Sequence, residues 1–289
     1  MKKTLTLSEP HGEALVRGIE DELCLSSRRM RIGVFDSGLG GLTVVQALSK
    51  VIKGAELFYI ADTKNAPYGE KTTEEILDFS LKITQYFVDT HKINALIVAC
   101  NTATSAAIEA LREKYPELIV IGTEPGIKPA IAKTSTGKVG VLATPATLKG
   151  TKYQQLTNTL SQSKSVQLFE QACPGLVEQI ENAEVCHPKT IKMLEKWLEP
   201  MKRNNVDTIV LGCTHYPLVA HIIEEIMQDD IHLIETGEAI AKHLLDRSRD
   251  ISHFNDGVLD IKLFTTGSIH KKSVKNLFDN FQEVTKIII

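Results

Sequence analysis

Ala95-Leu96-Ile97-Val98-Ala99-Cys100-Asn101-Thr102-Ala103-Thr104 holds one structural unit in a single short stretch. Positions 95–99 are apolar throughout, with no polar alternation and strand length, which reads as a strand covered on both faces. Cys100, Asn101 and Thr102 follow at its carboxyl end, where a helix with amphipathic spacing begins and runs to about Tyr115. A strand ending in small polar groups that open a helix is the repeating element of an α/β fold.

The same unit recurs outward in both directions. Upstream, Ile32–Phe35 and Leu57–Ile60 read as strands, with helices over Leu42–Val51 and about Thr73–Thr90. Downstream, strands are expected at Leu118–Gly122, Val139–Leu142, Val166–Phe169, Thr208–Leu211, Ile231–Ile234 and Ile261–Phe264. Helices are expected over Ala146–Leu160 and about Pro188–Met201, with others between and after the later strands. Alternation of this kind predicts two doubly wound α/β domains with mainly parallel sheets and an active site in the cleft between them. Residues 1–29 show no clear period and read as an N-terminal extension, partly helical from about Glu13 to Leu23, with Met30 as an alternative start. Residues 30–122 with 238–289 are assigned to the first domain and 123–237 to the second.

The totals narrow the function classes. Hydrophobic residues are 43% and charged residues 24% of 289, as in an ordinary globular protein. A net charge of -3 points to no nucleic-acid partner and no anionic membrane surface. Pairs such as Arg28-Arg29 and Lys271-Lys272 read as solvated surface. No apolar run reaches membrane-spanning length, and the first thirty residues lack the apolar centre of a signal peptide, so the expected location is cytoplasmic. The five cysteines (24, 100, 173, 186 and 213) are odd in number and form no C-x-x-C pair. They fit neither a disulfide framework nor a zinc site, so no metal is expected.

In open α/β sheets ligands collect beyond the carboxyl ends of the strands, which directs attention to three clusters. The first is Asp36-Ser37-Gly38-Leu39-Gly40-Gly41, the second Cys100-Asn101-Thr102-Ala103-Thr104, the third Gly212-Cys213-Thr214-His215-Tyr216-Pro217. The glycine turn lacks the Gly-Lys-Ser/Thr of a phosphate loop and the spacing of a dinucleotide fingerprint. Its free N–H groups suit an anion and Asp36 suits an ammonium, although a turn capped by Asp or Ser would look the same. A lone cysteine is more often a buried apolar residue than a reactive one. Two thiols at equivalent strand ends, one in each half, reverse that balance. Helix N-termini and a nearby imidazolium are expected to lower thiol pKa values toward neutrality, suiting acid–base chemistry. Opposed thiols on one α-carbon would remove a proton from one face and return one to the other, inverting the centre. No pyridoxal lysine, nicotinamide or metal motif is visible, so no cofactor is expected.

These stretches, with Pro67-Tyr68-Gly69, Glu124-Pro125-Gly126, Thr144-Pro145-Ala146-Thr147 and Ala172-Cys173-Pro174, resemble the glutamate racemases in order and spacing over about residues 30–289. The resemblance implies cofactor-independent interconversion of L- and D-glutamate, with Cys100 and Cys213 as proton donors and acceptors. It implies that Asp36 assists the first thiol, and that His215, partnered by Glu181, assists the second. Ser37, Tyr68, Gly69, Asn101, Thr102, Thr214, Asp36 and His215 would contact the substrate, with Thr144 and Thr147 beside them. The family supplies D-glutamate for peptidoglycan. Some members with an N-terminal extension are activated by a uridine-diphosphate-linked muramyl peptide, and residues 1–29 are comparably placed. Homodimers are common in the family, yet no stripe of this sequence marks an interface. Cys24, Cys173 and Cys186 read as structural or incidental, Trp197 as packing, and His91, His221, His232, His243 and His270 carry no constellation. Two rivals remain. One is related chemistry, an aspartate racemase or a one-cysteine decarboxylase. The other is a non-catalytic amino-acid-binding regulator, which would be expected to lack a thiol.

Overall fold

The structure, a computed structural model, describes residues 29–163, 166–228, 231–248, 257–269 and 283–289. The helix expected over Glu13–Leu23, Cys24, His270 and the pair Lys271-Lys272 lie outside these residues. Strands β1 (Arg31–Asp36), β2 (Glu56–Ala61), β3 (Ala95–Val98), β4 (Ile119–Gly122), β9 (Asp260–Thr265) and β10 (Val284–Lys286) form a six-stranded sheet in the order β10-β9-β2-β1-β3-β4. Strands β5 (Lys138–Ala143), β6 (Gln167–Ala172), β7 (Thr208–Gly212) and β8 (His232–Ile234) form a four-stranded sheet in the order β6-β5-β7-β8. Every pairing described in either sheet is parallel.

Strand side chains alternate between faces, and each face of each sheet has its own core. In the first sheet Ile32, Val34, Leu57, Tyr59 and Ile97 pack beneath helix Leu42–Val51 and beneath Ile240 and Leu244 of helix Gly237–Ser248. Phe35, Phe58, Ile60, Leu96 and Val98 face the other way, against helices Thr73–Tyr86 and Asn101–Lys114. In the second sheet Leu142, Ile209 and Leu211 pack on Leu194, Leu198 and Ile223, while Val139, Val141 and Val210 pack on Ile127, Ile131 and Tyr153. Each fully buried Leu, Ile or Val contributes about 1.5–3 kcal/mol by leaving water. Two-sided burial therefore accounts for strands without polar alternation.

Three elements depart from expectation. The helix expected over Ala146–Leu160 is two helices, Pro145–Lys149 and Thr151–Ser163. Gly150 between them is extended (φ -64°, ψ 136°), and a Cβ there would run into Ser105. The helix expected to reach Thr90 is α-helical to Tyr86 and finishes as a π-turn, Phe87–His91, which Lys92 ends in the left-handed conformation. The edge strand β10 was not foreseen, and its few residues, Val284–Lys286, have too little pattern to announce it.

Candidate active site

β1, β3 and β7 end at one place, and the side chains just beyond them line a shared cavity of about 50 Å³. Cys100 reaches it from the first sheet as the N-cap of helix Asn101–Lys114, and Cys213 reaches it from the second, just past β7. Ser37, Tyr68, Gly69, Asn101, Thr102, Thr144, Thr214 and His215 also line the cavity. Asp36, Glu181 and Thr147 do not line it and stand behind residues that do. Cys173, which sequence reasoning left without a role, is a third thiol on the wall, and Glu178 adds a carboxylate. Their signal lay in the motif Ala172-Cys173-Pro174 and the helix that follows it.

The glycine turn after β1 is locked to both halves. Asp36, fully buried, accepts from the Gly38 and Gly41 N–H groups at 3.1 Å each and from the Thr214 hydroxyl at 3.2 Å. Tyr59 donates to the Gly38 carbonyl at 2.5 Å. The Leu39 N–H donates to Glu181 at 2.6 Å, across 142 residues of sequence. A Cβ on Gly38 or Gly40 would run into Glu181 and His215, so glycine is required for that approach. Burial raises the Asp36 pKa above its ordinary value, against the opposing pull of His215 and the two backbone N–H groups.

On the second side Glu181 Oε1 lies 2.6 Å from His215 Nε2, and His215 Nδ1 lies 3.7 Å from Cys213 Sγ. The Gly40 N–H also points at Nε2, at 3.2 Å. A carboxylate at 2.6 Å puts a proton on Nε2, which then cannot accept a hydrogen bond, so the Glu181 contact governs. Burial opposes charging His215, but its bonds to Cys213 and Glu181 outweigh burial and hold its pKa well above the ordinary imidazole value.

The Cys100 thiol behaves oppositely to the expectation from its helix N-terminus. Its Sγ accepts from the Ala103 N–H at 3.5 Å and lies 3.9 Å from Ser37 Oγ. Burial, reinforced by the Asp36 charge, nevertheless pushes its pKa up. Desolvation of a buried thiolate outweighs one backbone donor.

The polar wall opposite is built from hydroxyls. Thr102, from the first half, meets Thr144 at 3.1 Å and Thr147 at 3.4 Å, and those two meet each other at 2.9 Å. Asn101 is buried with neither amide atom paired, so it holds donors and an acceptor ready for a ligand. Asn101 and Thr147 also border a second cavity of about 360 Å³ that carries Arg112 and Lys128. Among the described residues no three His, Cys, Asp or Glu side chains group so as to hold a metal ion, and no helix is long and apolar enough to cross a membrane.

Kinship agrees with this geometry. The sequence matches the family described as Asp/Glu/Hydantoin racemase over residues 32–244. A glutamate racemase of Sulfurovum sp. (strain NBC37-1) is 63% identical over 252 residues, which span 87% of this chain and 95% of that protein. The crystal structure of a glutamate racemase isoform of Bacillus anthracis overlays with a TM-score of 0.78 at 30% identity, covering 91% of this chain and 98% of that one. The Escherichia coli glutamate racemase, solved with L-glutamate and the activator UDP-MurNAc-Ala, overlays with a TM-score of 0.76 at 27% identity, covering 90% of this chain and 98% of that one. A match over most of the length, on a fold shared with these structures, means that the chain belongs to the Asp/Glu/Hydantoin racemase family.

Proposed function

We propose that this chain interconverts L- and D-glutamate without a cofactor, Cys100 and Cys213 exchanging protons on opposite faces of the α-carbon. The observation that carries this reading is the pair of thiols, delivered by strands of different sheets to one cavity. Cys100 is held as a thiol by burial and Asp36, which suits the proton donor. Cys213 stands beside an imidazole that can take or return its proton, with Glu181 orienting the ring. In the reverse direction the roles exchange, and Asp36 steadies the first side. Ser37, Asn101, Thr102, Thr144, Thr214 and the backbone of Tyr68 and Gly69 supply donors for two carboxylates, with Thr147 holding Thr144 and Thr102 from behind. Donors fixed before substrate arrives stabilise a developing carbanion better than water does.

The division at 30–122 with 238–289 and 123–237 is part of the same proposal, supported by the two sheets and their separate cores. The product would be D-glutamate for peptidoglycan, made in the cytoplasm by a protein that forms homodimers. Activation by a uridine-diphosphate-linked muramyl peptide is proposed as well. It is supported by the activator bound to the Escherichia coli relative and by the larger cavity, whose Arg112 and Lys128 offer charge for a diphosphate.

The test is incubation with L-glutamate in deuterated buffer, with no cofactor added. Loss of optical signal together with deuterium at the α-carbon is the expected result. Cys100→Ala and Cys213→Ala should each reduce turnover at least about 100-fold while keeping the native circular dichroism. Near-normal turnover in either variant would remove that thiol from the mechanism. No turnover of glutamate with or without the muramyl precursor, alongside turnover of aspartate, would reassign the substrate.

A further inference from the structure

Asp62 is a buried carboxylate just past β2 that the chemistry above does not use. It accepts from the Tyr68 hydroxyl at 2.6 Å, from the Thr266 hydroxyl at 2.6 Å, and from the Asn65 amide at 3.0 and 3.2 Å. All three partners are neutral. Burying a carboxyl group among neutral donors costs more than packing an apolar residue of similar size there. Its position therefore calls for a reason beyond packing.

The reason lies along the loop. Thr63 meets Thr265 at 2.8 Å, the Lys64 N–H donates to Thr266 at 3.1 Å, and the Gly267 N–H donates to Thr63 at 3.0 Å. These bonds dock the start of the loop onto the end of β9. The far end of the loop is Pro67-Tyr68-Gly69, which lines the active-site cavity. A Cβ on Gly69 would lie 3.3 Å from Thr144 Cβ, so this end of the loop touches the other half of the molecule. Tyr68 ties the two ends together through Asp62. Burial, then Asp62 itself, hold the Tyr68 hydroxyl protonated far above its ordinary pKa. That hydroxyl is engaged by Asp62, and Tyr68 itself is a residue of the cavity wall.

We propose that Asp62 is a positioning residue: it clamps Tyr68, and so sets where the Pro67–Gly69 wall meets glutamate. The proposal rests on the glutamate racemase reading above. Three variants test it in the full chain. Asp62→Ala removes the acceptor, Tyr68→Phe removes the donor while keeping the ring, and Asp62→Asn keeps the shape and one acceptor oxygen. Asp62→Ala and Tyr68→Phe are expected to raise KM for glutamate about tenfold, which is about 1.4 kcal/mol, with kcat within about threefold. Asp62→Asn should recover part of the loss, and the double variant should be no worse than the worse single one, because both cut one contact. Hydrogen exchange of amides 63–66 and 68–71 should quicken in Asp62→Ala and Tyr68→Phe, and that of β2 should not. Asp207 is a control: it takes hydrogen bonds from Thr134, Ser135 and Thr136 far from the cavity lining, so Asp207→Asn should lower the melting temperature without moving KM.

Unchanged exchange in both Asp62→Ala and Tyr68→Phe would overturn the clamp. Faster exchange with KM unmoved would also overturn it, leaving Asp62 a structural residue. Exchange is read without substrate. An unaltered protein that fails to turn over glutamate would therefore count against the function proposed above, while the exchange result still upholds or overturns the clamp.

Discussion

Gly40 shows how closely the two halves are fitted. Its backbone N–H points at the His215 ring, and the Thr214 hydroxyl and the imidazole occupy the space where a Cβ would stand. In Gly40→Ala the ring must move away from Cys213 or from Glu181. Displacement of a catalytic group by about 1 Å costs on the order of 100-fold in rate. Gly40→Ala is therefore expected to lose about 100-fold in kcat for glutamate with its circular dichroism intact. A rate within threefold of the unaltered protein would show that the ring adapts freely. At this scale much was legible in the sequence. Asp36, Cys100 and Cys213 stand out because small polar residues at strand ends have few structural reasons to cluster. Glu181 was different. Nothing within its own helix marks it, and its contact with His215 exists only because separate segments fold against each other. The direction of the Cys100 shift was equally hidden, since it depends on how deeply the thiol is buried and on the Asp36 charge.

Among the elements, the π-turn Phe87–His91 carries a measurable consequence. His91 stacks on Phe58 with ring centroids 4.1 Å apart, is ringed by Tyr86, Phe87 and Phe264, and has a buried Nε2 with no partner. Burial lowers its pKa below 6.5, with Lys262 and Arg31 adding to the effect and Glu56 opposing it. The fold thus prefers the neutral ring, and the unfolded chain takes up a proton first as the solution is acidified. Stability from this site is full above about pH 6.5 and is lost as pH falls through the folded pKa. The urea midpoint of the unaltered protein should fall between about pH 6.5 and 5, and His91→Phe should flatten that limb. Identical pH profiles would show that His91 is not responsible. The sequence placed a helix here but could not foresee its π ending. That ending is imposed by where the ring must pack. The break at Gly150 has the same origin: helical spacing continues through it, and the approach of Ser105 interrupts it.

Across the whole molecule, hydrogen bonds at the cavity join one sheet's elements to the other's. Thr102 touches Thr144 and Thr147, and Thr43 donates to the Thr214 carbonyl at 3.2 Å. Thr102→Val keeps the shape and removes the hydroxyl at that seam. If this hydroxyl meets a carboxylate of glutamate, about 1.5–3 kcal/mol of binding is lost. KM should then rise roughly ten- to a hundredfold, with a smaller change in kcat. An unchanged KM would place the carboxylate elsewhere.

The alternation of strands and helices, the burial of strands on both faces and the identity of the residues at their ends were determined by the sequence itself. All three follow from local spacing and propensity over a few residues. Tertiary structure decided the rest. It set β9 beside β2, joined the Leu39 N–H to Glu181, and brought the two thiols to one cavity. Those contacts span 142 residues in the case of Leu39 and Glu181. No local pattern encodes such a distance, and it is met only when the cores of both sheets have packed.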